Sequence, residues 1–137
     1  MDAAEIKKWL MRGWRLDREI DALLRARQTT WERVTSVTAA QEGSVVSGSK
    51  DPHKFDRYAE LEDLIDSRVD ELVKIKREIL AAVAQVTDEK LRTLLTERYV
   101  SFLTWEQIAV NLGYSYMHVC RLHGRALAAL GEVLRNM

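Results

Sequence analysis

A stretch near the carboxyl end of the chain constrains its fold most, because two short helix patterns meet there at a single glycine. Residues 104–127 have the sequence TWEQIAVNLGYSYMHVCRLHGRAL. Thr104 can cap a first helix, with Gln107 three positions on to complete a capping box, and Ser115 can cap a second helix. Gly113 stands between them, where a helix end favours a left-handed residue. The stretch therefore predicts two short helices joined by a tight turn.

The apolar positions of this stretch predict that the two helices share one small core. Ile108 and Leu112 are four apart in the first helix, and Val119 and Leu122 are three apart in the second. Residues at these spacings lie on one face of a helix. Ala109 is small and stands where the two helices would come closest. We therefore expect a steep crossing, as in a helix-turn-helix.

The remaining face of the second helix carries polar, basic or adaptable side chains, which is typical of a helix that lies in the major groove of DNA. Phosphates are expected to position such a helix and base edges to give it specificity. The predicted base contacts come from Tyr116, Met117, Cys120 and Arg121, and the predicted phosphate contacts from Ser115, His123 and Arg125. Arg121 is the candidate for bidentate pairing with guanine. Many helical proteins contain a helix, a glycine and a helix without binding DNA, so a purely structural role stays open.

A further helix pattern precedes this unit at residues 88–100, DEKLRTLLTERYV, with Thr87 as its expected cap. Its apolar face is expected to consist of Leu91, Leu94, Leu95 and Tyr99. The run ERYVSFLTWEQIAVNLGYSYMHVCRLHGRAL resembles the C-terminal promoter-binding domain, region four, of bacterial sigma factors. In that family a leucine-rich helix and an Arg-Tyr pair lead into the helix-turn-helix, and the second helix ends in RLHRAL. The resemblance covers about the last 50 residues.

The resemblance has one visible departure and one limit. Gly124 stands where the family commonly has a longer or charged residue, and a glycine within a helix costs about 1 kcal/mol relative to alanine. It either permits close approach to a backbone or weakens the end of the helix. The rest of the chain does not resemble a sigma factor. In size and layout the chain resembles small phage and prophage regulators of the ArpU and RinA type, which implies a sequence-specific DNA-binding transcriptional regulator.

The N-terminal two-thirds of the chain predict two long amphipathic helices, at about residues 2–37 and 52–86, with Asp51 and Pro52 starting the second. The Ser- and Gly-rich residues 38–50 predict a flexible loop. The two helices should pair as an antiparallel hairpin, because neither is stable alone with its apolar face exposed. The apolar stripe of the second helix is wide enough for a third element, either the C-terminal unit or a second copy of the hairpin. We therefore predict an all-α fold, with a hairpin domain at residues 1–86 and a DNA-binding domain at residues 87–137.

The charge of the chain limits how it can bind DNA. Its 21 basic and 21 acidic residues give a net charge of zero, whereas a strong non-specific nucleic-acid binder is usually basic. Residues 56–71 carry seven acidic residues and two arginines, which are a solvated face or a surface for a basic partner. The alternative function is accordingly a sigma-like module that docks on RNA polymerase, with minor DNA contact. A homodimer formed through the hairpin is a further expected partner arrangement.

Several classes of protein are not favoured by the sequence. Cys120 is the only cysteine, so no disulfide can form within the chain. Cys120, His118 and His123 crowd one helix without the paired spacing of a zinc site. No apolar run approaches the ~20 residues of a membrane span, and no catalytic or phosphate-binding motif occurs. We therefore expect a cytoplasmic protein that is not an enzyme and has no metal or cofactor.

Overall fold

The computed structural model describes residues 1–40 and 53–137, and within them the chain is helical and has no strand. The five helices are α1 (Ala3–Ala40), α2 (Lys54–Val83), α3 (Glu89–Tyr99), α4 (Trp105–Leu112) and α5 (Tyr116–Arg135). This order confirms the predicted all-α class. None of these helices combines the length and the apolar character that a membrane span requires.

The ends of the two long helices differ from those expected. α1 continues through residues 38–40, which were predicted to begin the loop. Two of these three residues are alanines, and alanine is the strongest helix former. Residues 41–50 of the predicted loop, and the predicted start at Asp51 and Pro52, lie outside the described residues. α2 ends at Val83, three residues early. Arg92 donates to the carbonyl oxygens of Val86 and Thr87, at 2.7 and 2.9 Å, and so holds this segment in a turn.

The described chain divides into two compact units. The first contains Met1–Leu16 and Leu72–Met137, and the second contains Asp17–Glu71. Each of the two long helices therefore contributes residues to both units. The domain boundary expected at residue 86 stays a prediction.

The second unit is an antiparallel pair of helices. Residues further along α1 contact residues earlier on α2, as an antiparallel arrangement requires. The pairs are Glu19 with Arg68 at 3.0 Å, Arg27 with Glu62 at 3.4 Å, and the rings of Trp31 and Tyr58 at 5.3 Å. Ile20, Val34 and Ile65 are buried between the helices.

The first unit has the larger core, to which all five helices contribute. Leu10 from α1 and Ile79 from α2 are fully buried in the same cluster as residues of the three shorter helices. The fully buried residues of α3, α4 and α5 are Leu94, Leu95, Tyr99, Ile108, Val119, Ala126 and Leu130. The whole predicted apolar face of α3 is buried. The start of α1 thus packs into the same core as the helix-turn-helix.

An aromatic side chain between α3 and α4 packs against the two long helices from a strained backbone position. Phe102 has a φ of 59°, a left-handed conformation that costs a residue with a side chain about 1–2 kcal/mol. Its ring lies over Gly13 of α1, where an added Cβ would be 3.5 Å from Phe102 Cζ. The Lys76 ammonium lies 4.9 Å from the centre of the same ring. The Phe102 ring is thus held by contacts with α1 and α2, and an added Cβ at Gly13 would make an ordinary van der Waals contact with it.

Candidate nucleic-acid interface

The capping box predicted for α4 is present. The Thr104 hydroxyl accepts from the backbone N–H of Gln107 at 3.2 Å, and the Gln107 side-chain oxygen accepts from the Thr104 N–H at 2.8 Å. Two backbone donors that the helix leaves unsatisfied are therefore paired with side chains. This fixes where α4 begins, and with it the direction in which the chain enters the turn.

The turn between α4 and α5 also follows the prediction. Gly113 has φ 71° and ψ 31°, the left-handed conformation, and the N–H of Tyr114 donates to the carbonyl of Ala109 at 3.0 Å. Ser115 caps α5 by accepting from the N–H of His118 at 3.1 Å. Ile108 of α4 and Val119 of α5 are fully buried. The two helices therefore share the small core expected of a helix-turn-helix.

The cap of α3 is a correction. The sequence suggested Thr87, but α3 begins at Glu89 with Asp88 as its cap, and the Asp88 carboxylate accepts from the N–H of Lys90 at 2.9 Å. An aspartate is also a strong cap, and its negative charge suits the positive end of a helix. The sequence pattern alone did not show which of two adjacent residues, Thr87 or Asp88, caps the helix.

Most of the predicted contact residues share the exposed face of α5. Six of the seven are exposed: Ser115, Tyr116, Met117, Cys120, Arg121 and Arg125. Neither Arg121 nor Arg125 forms an ion pair within the described residues. The Tyr116 hydroxyl lies beside Cys120, and the charge of the ionised thiol raises the pKa of Tyr116. The structure thus places two unpaired cations and several adaptable side chains on one accessible surface.

His123 is the exception among the predicted contact residues. Its Nε2 lies 2.6 Å from the Tyr99 hydroxyl oxygen, and its ring centre is 4.5 Å from that of Trp105. Burial, with smaller contributions from the charges of Lys7 and Arg98, lowers the pKa of His123 to about 4. Burial also raises the pKa of Tyr99 to about 12, so its hydroxyl keeps a proton to donate. This setting differs from the predicted phosphate contact, and we leave His123 out of the DNA-contacting set.

The setting of His123 predicts a loss of stability in mild acid. Its pKa is lower in the folded protein than in the unfolded chain, so the unfolded chain binds more protons between about pH 6.5 and pH 4. The free energy of unfolding should therefore fall on acidification through this range, by about 1–2 kcal/mol after allowance for solvent screening. Urea unfolding of the parent and of His123→Gln at pH 7 and pH 5 measures the effect, since glutamine does not titrate. Parallel losses in both proteins would contradict the assignment to His123.

The three side chains considered as metal ligands have separate surroundings. His118 packs edge-on against Tyr114, with ring centres 4.5 Å apart, Cys120 is exposed, and His123 is engaged with Tyr99. Across residues 1–40 and 53–137, no group of three potential ligands comes together.

Sequence reasoning missed several residues around α5. Arg98 stacks over the Trp105 ring at 4.5 Å and donates to the carbonyl of Leu103 at 3.0 Å. The Lys90 ammonium lies 6.0 Å from the Tyr114 ring. Lys7, from the start of α1, acts on His123 through its charge. Arg98 could have been noticed in the Arg-Tyr pair, but no sequence signal links Lys7 to a helix more than a hundred residues away.

Gly124 lies on the exposed face of α5, in the middle of a continuous helix. A Cβ added there would have no neighbour within 4 Å. Gly124→Ala should therefore raise the free energy of unfolding by about 1 kcal/mol, because alanine favours the helix without a clash. Gly131→Ala is the matched control on α5, since its Cβ would lie 2.6 Å from Ile6 Cδ1. Thermal melts should show a gain over the parent for Gly124→Ala and a loss for Gly131→Ala, and no gain over the parent for Gly124→Ala would contradict this expectation.

Comparison with known proteins shows a similarity to a sigma factor. The RNA polymerase sigma factor SigF of Mycobacterium tuberculosis, in strains CDC 1551 / Oshkosh and ATCC 25618 / H37Rv, is 36% identical over 70 residues. The similarity covers 51% of this chain and 26% of SigF, so the chain matches only about a quarter of its relative. No protein-family profile matches the chain, and no solved structure matches it significantly. Part of this chain is therefore similar to part of a sigma factor.

Proposed function

We propose that the chain is a sequence-specific DNA-binding transcriptional regulator that inserts α5 into the major groove. The observation that carries the proposal is the exposed face of α5. The turn at Gly113 presents this face to solvent, and Arg121 and Arg125 project from it without an ion pair among the described residues. Arginine side chains without internal partners are suited to guanine edges and to phosphates.

The dimensions of α5 suit a major groove. Met117, Arg121, Gly124 and Ala128 follow one another at spacings of four, three and four, so they lie along one face, and all four are exposed. This face is about 16 Å long at 1.5 Å per residue. A helix about 10–12 Å wide enters a groove about 12 Å wide. The face can therefore contact several successive base pairs.

The similarity to SigF supports a role in transcription, since that relative is named as an RNA polymerase sigma factor. A regulator of this kind acts by binding and is not an enzyme, and it works in the cytoplasm. Control of phage or prophage genes is the finer part of the proposal. It rests on the order of a pair of long helices followed by a helix-turn-helix.

Docking on RNA polymerase is the second candidate function. The name of the relative favours it, and so does the zero net charge, which gives the chain no long-range attraction to DNA. Asp63, Asp66 and Asp70 are exposed on α2 of the second unit, and none forms an ion pair within the described residues. They suit a basic protein surface and would repel DNA.

A second copy of the chain is a further proposed partner, through the helix pair of the second unit. Trp31 and Phe55 are 43% and 53% exposed there, and a second copy would cover apolar surface of this kind. A dimer would bind a palindromic site with half-sites about 34 Å apart, whereas a monomer would bind one asymmetric element. Sedimentation equilibrium on the full chain separates these arrangements.

Selection of bound sequences from random duplex DNA tests the proposed function directly. The full chain should enrich one sequence element, and a gel shift should then show tighter binding to that element than to random DNA, with or without RNA polymerase. Enrichment only when polymerase is present would favour the docking function. No DNA binding at any salt concentration, in either condition, would overturn the proposal.

A further inference from the structure

We propose that Lys7 of α1 binds a phosphate of the DNA backbone beside α5, so that the first helix of the chain forms part of the DNA-binding surface. The inference rests on the proposed function. It adds a contact from outside the part of the chain that resembles sigma region four.

The start of α1 lies directly against α5. Ile6 is buried, and its Cδ1 would be 2.6 Å from a Cβ placed on Gly131. A groove of about 470 Å³ runs between the two helices. Met1, Asp2, Ala3 and Ile6 line one side of it, and Gly124, Leu127 and Ala128 line the other. The first turns of α1 therefore adjoin the exposed face through which α5 is proposed to bind DNA.

Lys7 follows this anchor residue and is exposed. It forms no ion pair within the described residues, and neither does Arg98, although the charges of both act on His123. Glu5 stands two positions before Lys7, and residues two apart on a helix do not face each other. Asp2, the other acid at this end of α1, accepts from the backbone N–H of Glu5. Among the described residues, Lys7 is thus an exposed cation without an internal anion, which suits an external one.

The cations from other helices lie on both flanks of α5. His118 and His123 are five residues apart, so they project about 140° from each other around the helix axis. Tyr114 packs on His118 and lies 6.0 Å from the Lys90 ammonium, whereas Lys7 and Arg98 act on the His123 side. A helix in the major groove has a phosphate strand along each edge. Lys90 is therefore positioned to bind a phosphate of one DNA strand, and Lys7 to bind a phosphate of the other.

The test compares Lys7→Ala with Lys8→Ala in the full chain. Lys8 has the same charge and is also exposed, but it projects from another side of α1. Affinity for the selected element and for random DNA is measured across a salt series. Lys7→Ala should lower the slope of log affinity against log salt by about 0.9, the value for one phosphate. The factor by which Lys7→Ala binds DNA more weakly than the parent should therefore be about threefold smaller at about 200 mM salt than at about 50 mM salt. This change should be the same for the selected element and for random DNA.

Two further results decide the outcome. In the free protein, the pKa of His123 followed by NMR should rise in Lys7→Ala and stay unchanged in Lys8→Ala, because the charge of Lys7, unlike that of Lys8, acts on that ring. If the parent binds DNA but the salt slopes of Lys7→Ala and Lys8→Ala agree, the Lys7 contact is overturned and the proposed function stands. If the parent binds no DNA, the proposed function fails and the inference fails with it. Melting curves for both variants confirm that the fold is intact.

Discussion

Replacing Leu10 with alanine should lower the free energy of unfolding of the first unit by about 2–5 kcal/mol. Leu10 is 0% exposed and lies in the same cluster as Leu94, Ile108 and Val119 of the shorter helices. The substitution removes apolar atoms from a close-packed interior and leaves a cavity that the neighbours fill only in part. Because the cluster is shared, the helix-turn-helix should lose stability together with the start of α1.

Urea unfolding followed by circular dichroism measures this loss. Val110→Ala is the matched control, since Val110 is 80% exposed on α4 and its truncation should change the free energy by no more than about 0.5 kcal/mol. Equal midpoints for the two variants would mean that α1 is not part of this core. DNA affinity at a temperature that half unfolds Leu10→Ala should fall in proportion to the folded fraction.

The local features of the helix-turn-helix could be predicted from the sequence because they follow from neighbouring residues. Thr104 and Gln107 stand three apart, as a capping box requires, and Gly113 supplies the left-handed turn at low cost. Ser115 caps α5 for the same local reason. These interactions depend on short stretches of chain, so no tertiary information was needed to infer them.

The packing of α1 on α5 could not be predicted in the same way. Periodicity indicates which face of a helix is buried but not which element covers it. The wide apolar stripe of α2 indicated a third element and left two alternatives, the C-terminal unit and a second copy. In the first unit, Ile79 and Val83 of α2 pack in one cluster with Leu94 of α3.

The half-buried setting of His123 also could not be predicted from the sequence. A histidine on an amphipathic helix suggests a phosphate contact as readily as a core position. Only the placement of Tyr99 and Trp105 around its ring shows that His123 is engaged by other side chains of the unit. The strained backbone of Phe102 was equally hidden, because a non-glycine residue with a positive φ gives no sequence signal.

Arg121 and Arg125 are expected to divide the work of binding DNA. Arg121 stands four residues after Met117 on the exposed face, where bidentate pairing with a guanine is worth about 1–3 kcal/mol of discrimination. Arg121→Ala should therefore relax the preference at one base position by roughly 5- to 150-fold while leaving the affinity for random DNA nearly unchanged. Arg125→Ala should weaken binding to all sequences alike and lower the salt slope by about one.

The two variants are compared on the selected element, on its single-base substitutions and on random DNA, at two salt concentrations. Arg135→Ala is the matched control, because Arg135 lies on the same helix but pairs with Glu132 at 3.0 Å, at the far end from the turn. It should behave as the parent on every DNA. Equal losses on specific and random DNA for both Arg121→Ala and Arg125→Ala would contradict the division of roles. A loss for Arg135→Ala as large as that for Arg121→Ala would instead mean that the bound face extends to the end of α5.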